Sequence, residues 1–146
     1  MARVRINLNG MNSIKQKVKN AVEEAMHDVT DDLVRTSSEA APHDKGILEQ
    51  SYGKSVGWQG NRIIGVVDYS VKEDNGNNGF DYAVFMHEGS YELGEGSEAK
   101  NSSGGGVGMS GASYEVGPRF LTRPLYGEAE AYRKHIQKTV DDAVKG

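Results

Sequence analysis

The side chains best suited to chemistry are His87 and Glu88, adjacent in DYAVFMHEGSYE (81–92). An imidazole beside a carboxylate is the raw material of general acid–base catalysis, provided a third group orients the base and a cleft holds the substrate. Gly89 follows, and residues 89–113 contain eight glycines. One reading is therefore a small loop-gated enzyme. The other is a strand end where one subunit meets its neighbour. Tyr82, Val84 and Met86 alternate with Ala83, Phe85 and His87, which predicts a strand over 80–88. Neighbours in a strand point to opposite faces. On that geometry His87 and Glu88 do not form a mutual pair, and no third group orients either.

Other patterns carry less. Gly106, Gly108 and Gly111 spell G-x-G-x-x-G, but a nucleotide site needs that pattern between a strand and a helix. Here it sits inside the glycine tract. Ser110 in GMSGA has Ala112 where a nucleophile elbow needs glycine. His27 and Asp31 lie one helical turn apart, which is two ligands rather than a metal site. Asp28, Asp31 and Asp32 read as a solvated or ion-paired helix face. No metal or cofactor is expected.

The elements that must position these residues are legible from periodicity. RVRINLN (3–9) alternates as a short strand. Residues 13–40 repeat apolar side chains at three- and four-residue steps, with Ser13 and Gln16 as a capping box and Pro42 as the stop. That helix would be roughly 40 Å long, more than a small core requires, which suggests a partner along it. Residues 51–58 and 62–71 predict a hairpin closed by QGN, with both faces of the second strand covered. KEDNGNNG (72–79) is a loop, 113–117 a short strand, and 122–145 a closing amphipathic helix. The tract 89–113 is expected to be a long mobile loop, because it buries too little apolar area to offset its ordering entropy.

The chain has 146 residues, 36 % hydrophobic, with 19 glycines, no cysteine and a formal charge of −4. That is one domain with a modest core, without disulfides or thiolate chemistry. The charge argues against a general basic surface for nucleic acid. An adaptor built on Arg3, Arg5, Lys15, Lys17 and Lys19 is a lesser alternative, since Val18 places those lysines beside an apolar stripe. No apolar run approaches a membrane span, and MARVRINLNG lacks the apolar core of a secretion signal. The fold class expected is α+β: a long N-terminal and a C-terminal helix packed on a small, mainly antiparallel sheet, with a long Gly-rich loop.

Three segments, in order, resemble one family. APHDKGILEQS (41–51), YAVFMHEGS (82–90) and GPRFLTRPL (117–125) are similar to signatures of the head–tail joining, or tail-completion, proteins of long-tailed bacteriophages, often called minor capsid or neck proteins. Lys45, His87 and Ser90 depart from the pattern. The resemblance implies a non-enzymatic virion protein. It would assemble in the host bacterial cytoplasm into a ring, commonly a hexamer, between the head connector and the tail tube or tail terminator. Genome DNA would pass through the lumen without specific binding. A tail terminator or minor tail protein is the neighbouring alternative. A ring needs surfaces that meet head to tail, and the residues assigned to them on this reading are Tyr82, Phe85, His87, Glu88, Gly89, Arg119, Phe120 and Arg123. Phe120 is also expected to anchor the last helix.

Overall fold

A computed structural model describes residues 12–43, 46–71 and 81–146. The expected strand at 3–9 and the loop at 72–79 lie outside the described residues. The class is α+β, with a long helix at each end of the described chain and two-stranded antiparallel pairs between them.

Helix α1 (Asn12–Ala40) organises the rest. Ala21, Ala25, Val29, Leu33 and Ala40 are buried along one stripe, the spacing that a 3.6-residue period turns inward. Gln16, expected to close a capping box, donates instead to Asn20 one turn on. A short α2 (Ile47–Gln50) inserts Leu48 into the core. Strands β1 (Tyr52–Gln59) and β2 (Arg62–Tyr69) form the predicted hairpin, closed between Gln59 and Arg62. Its inner face lies on α1: Lys54 reaches Asp31, and Trp58 Nε1 donates to Glu23 at 2.5 Å. The outer face is not covered as expected, since Val66 is 45 % exposed. The run RIIGVVD reads as doubly buried because Ile64 and Val66 are apolar, yet α1 packs on one side of the hairpin.

Helix α5 (Thr122–Lys145) has the predicted bounds. It runs antiparallel to α1, with Tyr132 beside Asp32 and His135 beside Asp28. Val29, Leu33 and Tyr132 form one apolar cluster between them, extended by Met26, Val67 and Ile136. The length of α1 is thus used inside the chain, by the hairpin and α5 together.

The segment expected as a strand is helix α3 (Tyr82–Glu88). Asp81 caps it, accepting from Ala83 N–H at 2.9 Å while also taking Val71 N–H at 2.8 Å and Ser70 Oγ at 2.7 Å. Over seven residues the strand and helix periods both place Tyr82 with Met86, so the pattern alone cannot separate them. The helical choice buries Ala83 and leaves Val84 and Phe85 half exposed.

The Asp81 cap makes a testable pH statement. Burial pushes its carboxyl up, but hydrogen bonds from Ser70 and from the Val71, Ala83 and Val84 amides outweigh this and hold it below its ordinary value. The unfolded chain then binds the proton more readily. The stabilisation is fully present above about pH 4 and is lost as the pH falls through the folded value. Asp81→Asn is expected to flatten the pH dependence of unfolding free energy as the pH falls below about 4, as read by urea titration; an unchanged slope would refute the assignment.

Residues 89–113 are not the structureless loop that composition predicts. They hold α4 (Glu95–Ser102) and β3 (Gly106–Val107), which pairs with β4 (Ser113–Tyr114). The order comes from polar anchors rather than apolar burial. Asp32 accepts Met109 N–H at 3.0 Å, Thr36 Oγ1 donates to Val107 O at 3.3 Å, and Asn101 Oδ1 accepts Val116 N–H at 3.2 Å. From α4, Lys100 donates to the Ser38 and Ala41 carbonyls and pairs with Glu49 at 3.3 Å. It places a cation at the carbonyl end of α1, which has no basic residue in its own last turn.

Candidate functional site

The three segments that resemble the phage signatures converge on one point. Leu48 from the first, Ala83 from the second and Phe120 from the third belong to a single buried cluster with Ala40 and Ala41 at the end of α1. Phe120 is 1 % exposed. Its ring lies edge-on to Tyr69 at 5.1 Å and edge-on to His87 at 5.2 Å. Tyr69 Oη in turn meets Ser37 Oγ at 2.7 Å and Ser38 Oγ at 2.9 Å on α1. Burial raises the Tyr69 phenol above its ordinary value, so it stays a neutral partner for those hydroxyls.

His87 is the hinge of this arrangement. Its Nε2 lies 2.9 Å from Thr122 Oγ1 and accepts Thr122 N–H at 3.3 Å. Its backbone carbonyl accepts Arg119 N–H at 2.7 Å. Helix α5 lacks a side-chain cap from its own Leu121, so His87 on α3 satisfies a first-turn amide of α5 in its place. Nδ1 lies 2.8 Å from Glu88 Oε1. His87 and Glu88 are therefore not held on opposite faces of a strand, contrary to expectation. On a helix end the two side chains meet, and Thr122 is the third group that the sequence did not reveal. Thr122, inside the GPRFLTRPL segment, has no local signature as a partner of a histidine 35 positions earlier.

The other assigned residues divide. Tyr82 is half-buried against the core cluster, and Phe120 is core, so neither is a simple contact surface. Phe85 is 52 % exposed, and the Glu88 side chain is 62 % exposed. Gly89 ends α3, where a β-carbon would lie 2.5 Å from the Phe85 carbonyl oxygen. Arg119 is exposed and adopts φ 55°, a conformation uncommon for a residue with a side chain. Arg123 was expected to meet a neighbouring subunit. It is committed within the chain instead, with Nε donating to Pro118 O at 2.9 Å and Nη2 to Glu115 O at 2.6 Å.

The remaining candidates are structural. Ser110 donates to Glu128 Oε2 at 2.5 Å and its amide to Oε1 at 2.7 Å. It serves a buried carboxylate rather than a reaction. A β-carbon on Gly108 would overlap that carboxyl, and one on Gly106 would overlap the Thr36 carbonyl. Two glycines of the G-x-G-x-x-G string thus exist for close approach to α1 and α5. Asp31 is paired with Lys54, Asp32 with Arg35 and Asp28 with His135. Among the described residues no group of three metal-ligating side chains converges, and no described helix is long and apolar enough to cross a membrane.

No family model, no curated protein and no solved structure matches this chain.

Proposed function

We propose that this protein is a structural component of a long-tailed phage neck, a ring subunit that joins the DNA-filled head to the tail. One observation carries the reading: the three signature-like segments, separated by up to 72 positions between Leu48 and Phe120, pack Leu48, Ala83 and Phe120 into one cluster. Segments matched by chance have no reason to share a core. Buried together, they behave as the packing code of a single fold.

The surface beside that cluster suits assembly. Val84 is 55 % exposed, Phe85 52 %, Leu125 44 % and Tyr126 76 %. Large exposed apolar side chains on α3 and in the first turn of α5 are costly in water and are candidates for contact surfaces. Phe85, Glu88 and Arg119 remain the residues to meet a neighbouring subunit, the head connector or the tail tube. Tyr82, His87, Phe120 and Arg123 hold that surface in place from inside. The net charge of −4 is compatible with DNA passing through a lumen, because tight binding requires phosphate neutralisation. A tail terminator or minor tail protein would use the same surfaces at another station.

The test is microscopy of a phage lacking this gene. Filled heads and separate, complete tails are the expected result. Normal joined particles would exclude the joining role, and heads with tails of uncontrolled length would move the protein to the terminator station. Mass measurement of the purified protein should show a closed oligomer or a monomer in equilibrium with one.

A further inference from the structure

The geometry points to a second capability: Glu88, His87 and Thr122 form an acyl-transfer triad that opens onto an apolar cavity, with small acyl esters as its substrate class. The side chains lie in catalytic order. Glu88 Oε1 is 2.8 Å from His87 Nδ1, and His87 Nε2 is 2.9 Å from Thr122 Oγ1. Carboxylate, imidazole and hydroxyl in that sequence are the minimal activated nucleophile.

The tautomer follows from the same contacts. The Thr122 amide donates to Nε2, so Nε2 carries the lone pair. The ring proton is therefore on Nδ1, where Glu88 accepts it. That is the tautomer a general base needs. The ring is also held edge-on against Phe120, which limits its rotation.

A cavity of about 150 Å³ lies against the triad, walled by Tyr69, Ala83, Val84, Phe120 and Leu121. At about 30 Å³ for a group the size of water or a methylene, it holds a short acyl chain of roughly four or five heavy atoms. The lining is apolar and uncharged apart from the triad, which selects an acyl group over a phosphate or an amine.

The step balances without a co-reactant. Thr122 Oγ1 bonds to the ester carbonyl carbon as its proton passes to His87 Nε2. The C–O bond to the alcohol breaks, and that alcohol leaves with the proton. Water then attacks the acyl-threonine, giving its proton to Nε2, and the acid and free Thr122 are regenerated. Glu88 is a positioning residue, acting through Nδ1. This capability shares Glu88, whose side chain is 62 % exposed, with the proposed contact surface, while the Thr122 hydroxyl and the cavity are its own.

The probe is p-nitrophenyl acetate with the full-length protein. The expected result is a burst of nitrophenolate with one acetyl group mapped by peptide mass to Thr122. Thr122→Val, which keeps the shape and removes the hydroxyl, should abolish the burst and lower release at least about 100-fold. Thr122→Ser keeps both the hydroxyl and the cap geometry and should retain labelling at that position. Glu88→Gln should slow acetylation while leaving its site unchanged. Acetyl groups found on lysines or on His87 and never on residue 122, or a Thr122→Val protein that releases nitrophenolate like the wild type, would overturn the proposal. A phage carrying Thr122→Val, which loses the hydroxyl but keeps the amide that docks on His87, should still join heads to tails, and that separates this capability from the assembly role.

Discussion

Glu128→Ala is expected to destabilise the protein by about 2–4 kcal/mol, the scale of losing hydrogen bonds to a buried charged acceptor. Glu128 is fully buried between α5 and the β3–β4 hairpin. Its two oxygens accept the Ser110 amide at 2.7 Å, Ser110 Oγ at 2.5 Å and Tyr114 Oη at 2.8 Å. Burial and the carboxylate together push the Tyr114 phenol up to about 12, so it remains a donor across the whole stable range. Truncation leaves three donors without an acceptor and opens space beneath Gly108. An unsatisfied buried donor costs about 1–3 kcal/mol, but Ser110 is exposed and Tyr114 half-buried, so water recovers part of that sum. The measurement is urea unfolding with matched m-values. Glu128→Gln keeps the shape and one acceptor oxygen, and should lose less than Glu128→Ala. A loss below about 1 kcal/mol for the alanine variant would mean that the hairpin is not held by this carboxylate. Local proteolysis between Gly104 and Ser113 should rise in parallel, because the segment has few apolar contacts of its own.

Phe120→Ala should cost about 3–5 kcal/mol, the usual range for deleting a buried aromatic ring. The ring is 1 % exposed and makes edge-on contacts with both Tyr69 and His87. Edge-on pairs add about 0.5–1.5 kcal/mol each beyond area burial. The loss has a second consequence. Without Phe120 the His87 ring is free to rotate, so the cap on Thr122 and the docking of α3 against α5 weaken together. Near-ultraviolet circular dichroism should report the tyrosine change, and thermal unfolding the stability loss. Phe120→Leu keeps most of the volume and should recover more than half of the loss. If Phe120→Ala unfolded with the wild-type midpoint, the common core of the three signature-like segments would be the wrong explanation for their co-occurrence.

The long elements were legible because their signal repeats. Helix α1 repeats its apolar stripe from Val18 to Ala40, so its register is over-determined; α5 was legible as a helix, but its buried face is Pro124, Glu128 and Tyr132, while Leu125 and Val144 of the apolar stripe are exposed. The hairpin was legible from the glycine-containing turn between two β-branched runs. Segment 82–88 was not, because seven residues do not separate a period of two from one of 3.6. Its state depends on Asp81 capping it and on a core that accepts Ala83. The glycine tract misled for a different reason. Composition measures apolar area, but the acceptors that order residues 106–114 are Asp32 and Glu128, on helices distant in sequence.

The sequence by itself therefore determined the α+β class, both terminal helices, the hairpin, and a set of segments resembling a phage neck signature. Those depend on local periodicity and turn chemistry, which act between neighbours in the chain. Only the tertiary structure decided that His87 meets Glu88 and Thr122, that Arg123 bonds inside the subunit, and that Gly106 and Gly108 serve close packing. His87 meets Thr122 across 35 positions, Gly106 lies against Thr36 and Gly108 against Glu128 on other elements, and His87 meets Glu88 only because context makes 82–88 a helix; no local pattern carries such contacts.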